Sequence, residues 1–146
     1  MDIDGTLGIS ASGLRAERLR LDVIASNLAN ANTTRTIEGG PYKRRNVVFV
    51  TQRNEADFGA TLESLAEEGA RQGVAVSDVI EDPTPPRMVF EPGHPDANAE
   101  GYVAYPNVNP VSEMVDLMAA TRAYEANVQA VNATRRMAEA ALAIGG

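Results

Sequence analysis

From Pro110 onwards the last quarter of this 146-residue chain runs to the terminal Gly145-Gly146 without another Pro or Gly. A stretch of that length without either strong breaker is expected to be one helix. Its start is well marked. Asn109 is a good N-cap, Pro110 suits the first helical position, and Glu113 places negative charge in the first turn, where it complements the helix dipole. Met114, Leu117, Thr121, Tyr124, Val128, Val131, Arg135, Ala138 and Leu142 follow alternating steps of three and four. This is a heptad seam, with Thr121 and Arg135 as its polar breaks, as in helices that pair with other helices. At ~1.5 Å per residue the helix would extend on the order of 50 Å, more than a small globular core needs.

The beginning of the chain carries the same period. Leu7, Leu14, Leu21 and Leu28 stand seven residues apart, with Ala11, Arg18, Ala25 and Asn32 four after each, and Ile24 widens the stripe. Asn and Thr crowd into residues 27–34, where they favour caps and turns over helix interior, so this helix is expected to end there. A heptad helix at each end invites pairing of the ends with each other or with other subunits.

Between them lie seven of the eight prolines, and the eighth, Pro110, opens the second helix. Gly39-Gly40-Pro41 breaks the chain, and residues 46–52 and 73–80, rich in β-branched residues, are strand candidates. Asp82-Pro83-Thr84-Pro85-Pro86 cannot be regular structure, because successive prolines remove ladder donors. Two shorter strands are expected at 87–91 and 101–105, on either side of a Pro92-Gly93-His94-Pro95-Asp96 turn. Residues 53–72 show no clear pattern and are taken as a variable insertion. The expected architecture is α+β, with long terminal heptad helices packed as a coiled-coil stem. The divisions are 1–34 for the N-terminal helix, 35–108 for a small β-rich middle and 109–146 for the C-terminal helix.

Composition narrows the chemistry. The chain has no Cys, which excludes disulfides, zinc–thiolate sites and thiol catalysis. His94 is the single histidine, so no His–His metal pair exists. Glu91 and Asp96 lie near it, but the same residues make a good turn, in which Asp96 bonds backbone N–H groups. No phosphate-cradling Gly-rich loop is present. The net charge is −7, and residues 73–110 hold six acids against Arg87 alone, whereas both terminal stretches are near neutral. Neutral helices suit close packing against copies or relatives. Lys43-Arg44-Arg45 is the one basic cluster, a weak basis for nucleic-acid binding in an acidic chain. No apolar run approaches the ~20 residues that span a membrane, and the acidic start is unlike a signal peptide. No cofactor, metal or enzymatic activity is expected.

The segment from Ser26-Asn27-Leu28-Ala29-Asn30 to Thr33 resembles the N-terminal signature of the flagellar rod and hook proteins. A narrower resemblance, to proximal-rod members of that family, comes from several further segments: Pro41-Tyr42-Lys43-Arg44-Arg45, Val79-Ile80-Glu81-Asp82-Pro83, Pro92-Gly93-His94-Pro95-Asp96, Pro106-Asn107-Val108-Asn109 and Glu113-Met114-Val115-Asp116-Leu117. The resemblance implies a structural part of the basal body whose terminal helices build an inner tube around an export channel. It implies copies of the chain, other rod proteins, the MS-ring adaptor, the distal rod and the flagellar type III export apparatus as partners. It also implies export without a cleaved signal and assembly in the periplasm, with neither nucleic-acid binding nor membrane insertion. The subunit-packing set expected on this basis is Leu7, Leu14, Leu21, Ile24, Leu28, Met114, Leu117, Tyr124, Val128, Val131 and Leu142. Another axial protein, a cytoplasmic coiled-coil adaptor and a metal-dependent hydrolase centred on His94 are the alternative readings.

Overall fold

The computed structural model describes residues 3–52 and 73–144. In chain order these form α1 (Ile3–Ala29), β1 (Arg45–Gln52), β2 (Gly73–Glu81), β3 (Arg87–Phe90), β4 (Tyr102–Tyr105) and α2 (Pro110–Ile144). The fold is α+β, with a helix at each end and small sheets between. The insertion expected at 53–72 lies outside the described residues. β1 pairs with β2, and β3 pairs antiparallel with β4 in the register Arg87↔Tyr105 to Phe90↔Tyr102.

Local chemistry accounts for the ends of the elements. The Asn109 Oδ1 accepts the Val111 N–H at 3.0 Å, capping α2 in front of Pro110 as its sequence predicts. After α1, the Asn30 Nδ2 donates back to the Ser26 carbonyl at 2.9 Å, and the Thr33 hydroxyl donates to the Asn30 Oδ1. These side-chain bonds compete with further helix and end it. Gly101 has φ +83, and a Cβ there would come within 2.9 Å of the Phe90 ring, so the β3–β4 turn requires glycine on both counts.

The described residues divide into two compact units. One comprises 3–18, 49–52, 73–77 and 122–144. Its interior is built from small and polar groups: Ser10, Ser12, Ala16 and Thr134 are buried. The Ser12 hydroxyl donates to the Ile9 carbonyl at 2.6 Å and accepts the Val74 N–H at 2.9 Å, which ties the start of β2 to α1. Gly13 lets α1 approach the Asn127 side chain on α2, which a Cβ would meet at 3.2 Å. The other unit comprises 19–48 and 78–121, with Ile24, Asn27, Ala31, Tyr42, Val103, Glu113 and Ala120 buried.

The inward stripes are heptads, but each is displaced from the seam that hydropathy selects. On α2 the covered positions are Glu113, Leu117, Ala120, Tyr124, Asn127, Val131, Thr134 and Ala138, again in steps of four and three. Leu117, Tyr124, Val131 and Ala138 were expected. Glu113, Ala120 and Thr134 replace the expected Met114, Thr121 and Arg135, and Asn127 is covered beside the expected Val128. Of these, Met114, Thr121 and Arg135 are exposed, as is Leu142, while Val128 is half-buried. On α1 and just beyond it the buried positions are Ser10, Ser12, Ala16, Ile24, Asn27 and Ala31, with Gly13, Glu17 and Arg20 half-buried among them. Leu7, Leu14, Leu21 and Leu28 flank them half-buried, and Ala11, Arg18, Ala25 and Asn32 are exposed. The cause is steric. Small residues admit a neighbouring backbone, and the polar ones are buried because they find hydrogen bonds: Thr134 to the Ala130 carbonyl, and Asn127 to the Ala123 carbonyl.

Candidate assembly site

Several of the segments that carried the family resemblance come together around two side chains, Asn27 and Glu113, each only 1% exposed. Asn27 uses its full hydrogen-bonding capacity. Its Oδ1 accepts from the Tyr42 hydroxyl and the Arg45 N–H, both at 2.9 Å. Its Nδ2 donates to the Arg45 carbonyl at 2.8 Å and to the Glu113 Oε2 at 3.1 Å. The other Glu113 oxygen accepts from the Arg44 Nε at 2.6 Å. Arg44 also donates to the Asn46 Oδ1 at 2.6 Å, and lies 3.6 Å from Asp116 and 3.9 Å from Asp82. A buried carboxylate is tolerable only with such partners, since an unpaired one would retain its whole desolvation penalty. The cluster thus fastens the last turns of α1, the approach to β1 and the first turn of α2 to one another.

A second clasp uses the Pro92–Asp96 turn. The Asp96 carboxylate accepts from the Thr34 hydroxyl at 2.8 Å and pairs with the Arg35 Nε at 3.2 Å. The Asp96 N–H donates to the His94 Nδ1 at 3.1 Å, so that nitrogen carries no proton. The His94 ring meets Tyr105 edge-on at 6.3 Å, and the Tyr105 hydroxyl donates to Glu91 at 3.0 Å, a bond that raises the phenol's pKa. The His94 Nδ1 and the Asp96 carboxylate are therefore both engaged in holding the turn. Among the described residues no group of three or more His, Cys, Asp or Glu is placed to hold a metal ion.

Nearby, Thr84 donates to the Asp82 Oδ1 through both its N–H and its hydroxyl, holding that carboxyl below its usual range. This fixes the proline knuckle. Asn107, with Tyr42, Arg44 and Pro85, lines an open groove of about 370 Å³ beside it. The Lys43–Glu81 pair at 3.1 Å is exposed and adds little.

The same unit turns apolar side chains outward. Val111, Met114, Val115 and Met118 share one exposed face of α2, at the i, i+3, i+4, i+7 spacing of a contact stripe. Met88, Phe90 and Tyr102 form the exposed face of the β3–β4 hairpin, with Phe90 and Tyr102 edge to face at 5.3 Å. Of these, sequence reasoning singled out only Met114 for packing. It also named Asn27 without its partner Glu113. The i, i+3, i+4 spacing of Val111, Met114 and Val115 was a signal for the first; the second joins residues 86 apart, for which no local signal exists. No described helix is long and apolar enough to cross a membrane.

Comparison with known proteins agrees with these segments. Residues 7–35 match the family model described as flagella basal body rod protein, and residues 99–144 match flagellar basal body rod FlgEFG protein C-terminal. Similar full-length proteins include the flagellar basal-body rod protein FlgC of Bacillus subtilis, 49% identical with 96% of each chain covered. The FlgC protein of Borreliella burgdorferi is 40% identical over 99% of this chain and 98% of its own, and that of Salmonella typhimurium 41% over 94% and 93%. Likeness of that extent, reaching both helices and the motif segments that meet at Asn27 and Glu113, means that the chain belongs to the FlgC family of flagellar basal-body rod proteins.

Proposed function

We infer that this chain is a structural subunit of the flagellar basal-body rod, working by packing against other subunits. The family membership supports the rod role. The observation that carries the packing mechanism is the inverted polarity at the start of α2, where Glu113 is buried while Val111, Met114, Val115 and Met118 face outward. Exposed apolar stripes of this kind are what a subunit interface covers. The half-buried Leu7, Leu14, Leu21 and Leu28, with Val128 and Leu142, extend the surface left for neighbours.

In this reading the chain is a proximal-rod subunit. α1 and α2 form the coiled-coil stem of an inner tube that lines the export channel, and residues 35–108 face outward. The chain joins the MS-ring adaptor to the distal rod, contacts copies of itself and other rod proteins, and transmits torque. It reaches the periplasm through the flagellar type III export apparatus without a cleaved signal. No catalytic step, cofactor or metal enters the reading, and the relatives are named as rod proteins. The full-length likeness to FlgC proteins favours this member over another axial protein or a cytoplasmic adaptor.

Val128→Asp tests the stem. A carboxylate forced into a helix–helix contact should cost several kcal/mol in every copy, roughly 3 or more when left unpaired. The variant, and equally Leu21→Asp, should be made and exported yet be missing from isolated basal bodies, with motility lost. Normal incorporation and swimming would remove these helices from the interface.

A further inference from the structure

We propose that Met114 and Met118 are an oxidation check on incorporation: hydrogen peroxide converts their thioethers to sulfoxides in the free subunit, and the contact made by this face then refuses the modified chain. The proposal rests on the reading of that face as a subunit contact.

The chain offers an oxidant no softer target. It has no Cys and no Trp, so its thioethers are the groups that a mild two-electron oxidant attacks first. All four methionines among the described residues are about half exposed: Met88 52%, Met114 51%, Met118 53% and Met137 53%. Protein interiors ordinarily take up methionine for its apolar bulk and pliability, and here none of the four is inside. Two of them stand apart by position. Met114 and Met118 are four residues apart in α2, which sets their Cβ atoms about 5–6 Å from each other on one helix face. Val111 and Val115 complete that face, exposed at 70% and 55%. Valine is inert to peroxide, so the two thioethers are the members of the stripe whose polarity mild chemistry can change.

The step is an oxygen transfer. A sulfur lone pair attacks one peroxide oxygen, the O–O bond breaks as the S–O bond forms, and the other oxygen leaves as water with both protons. Sulfur loses two electrons and the peroxide gains them. The product turns a flexible apolar side chain into a polar one that accepts hydrogen bonds and donates none. In the free chain the new oxygen is hydrated, because both side chains reach solvent, and the fold is unaffected. On association the same oxygen enters an apolar contact, where a polar group without a donor keeps its desolvation penalty. The penalty therefore falls on assembly alone. A sulfoxide can be reduced back to the thioether, so the refusal is reversible. A stripe of valine and leucine would bury similar area without this sensitivity.

The test needs no substitution. Purified full chain and intact isolated basal bodies are treated with the same hydrogen peroxide, and sulfoxide at each methionine is read by peptide mass spectrometry. In the free chain all four methionines should oxidise at similar rates with helical circular dichroism retained; loss of helix would overturn the proposal by making the effect one of folding. In basal bodies Met114 and Met118 should be protected. Oxidation there at the free-chain rate would remove the face from any interface, and the subunit-contact reading would fall together with the proposal. A second arm isolates the check itself. In cells lacking methionine sulfoxide reductase, incorporation is held back by withholding another rod protein; a brief peroxide pulse is given and quenched, and the missing protein is then supplied. Relative to sulfoxide at Met137 in the same molecules, sulfoxide at Met114 and Met118 should be at least about tenfold scarcer in incorporated than in unincorporated chain. Protection in basal bodies without this depletion would overturn the oxidation check and leave the contact standing. Equal depletion at Met88 and Met137 would overturn it too, because oxidised chains would then be refused as a whole rather than through this face.

Discussion

Glu113 and Met114 are adjacent in sequence and opposite in environment: the carboxylate is 1% exposed and the thioether side chain 51%. Around the first lies a closed polar cluster with every bond made inside the chain. Around the second lies an exposed apolar face, with Val111, Val115 and Met118, that no described residue covers. In a free-standing globular protein the assignments would be reversed. The difference separates two jobs on one helix. The polar interior fixes how the chain's own segments join, and the apolar exterior is left for association.

Removing the guanidinium tests that division most severely. Arg44→Ala leaves the Glu113 carboxylate buried with Asn27 as its one remaining bonded partner, and should lower unfolding stability by about 3 kcal/mol in urea titrations. A loss below about 1 kcal/mol would mean that water reaches the cluster, and the contrast with the outer face would collapse. The cap of the same helix ranks next. Asn109→Ala removes the acceptor for the Val111 N–H and should cost about 1 kcal/mol, read as a fall in melting temperature with the basal-body fraction unaffected. His94→Ala takes from the Asp96 N–H its acceptor but leaves Asp96 bonded to Thr34 and Arg35. Its expected cost is about 0.5–1 kcal/mol, with swimming retained; swimming lost in a stable, assembled variant would instead point to imidazole chemistry. The smallest stability change is expected outside. Met114→Asp with Met118→Asp should alter unfolding by no more than ~0.5 kcal/mol, because neither side chain is buried in the chain. That pair should nevertheless remove the protein from isolated basal bodies. Full incorporation would show that this face remains in solvent after assembly.

What could be read from the sequence divides along the same line. The N-cap at Asn109, the strands of β-branched residues and the proline knuckle follow from local preferences, and each stands where those preferences put it. Heptad spacing also told the period and half of the positions. Inside the chain it missed Glu113, Ala120 and Thr134, because hydropathy ranks Met114 above Glu113, whereas burial there follows size and available hydrogen-bond partners. Nothing near Asn27 signals that its amide will meet a carboxylate from the far end of the chain. The resemblance did gather those segments as a set, without saying that they touch.

The Asn27–Glu113 bond also has a consequence in time. It spans 86 residues, so α1 emerges from the ribosome long before the carboxylate that will hold it. At translation rates of roughly 5–20 residues per second, that interval is about 4–17 s. Throughout it, the apolar and small-residue faces of α1 have no α2 to meet. A chain whose first helix is completed by a partner 86 residues downstream is one whose α1 stays open to capture by other factors throughout that interval.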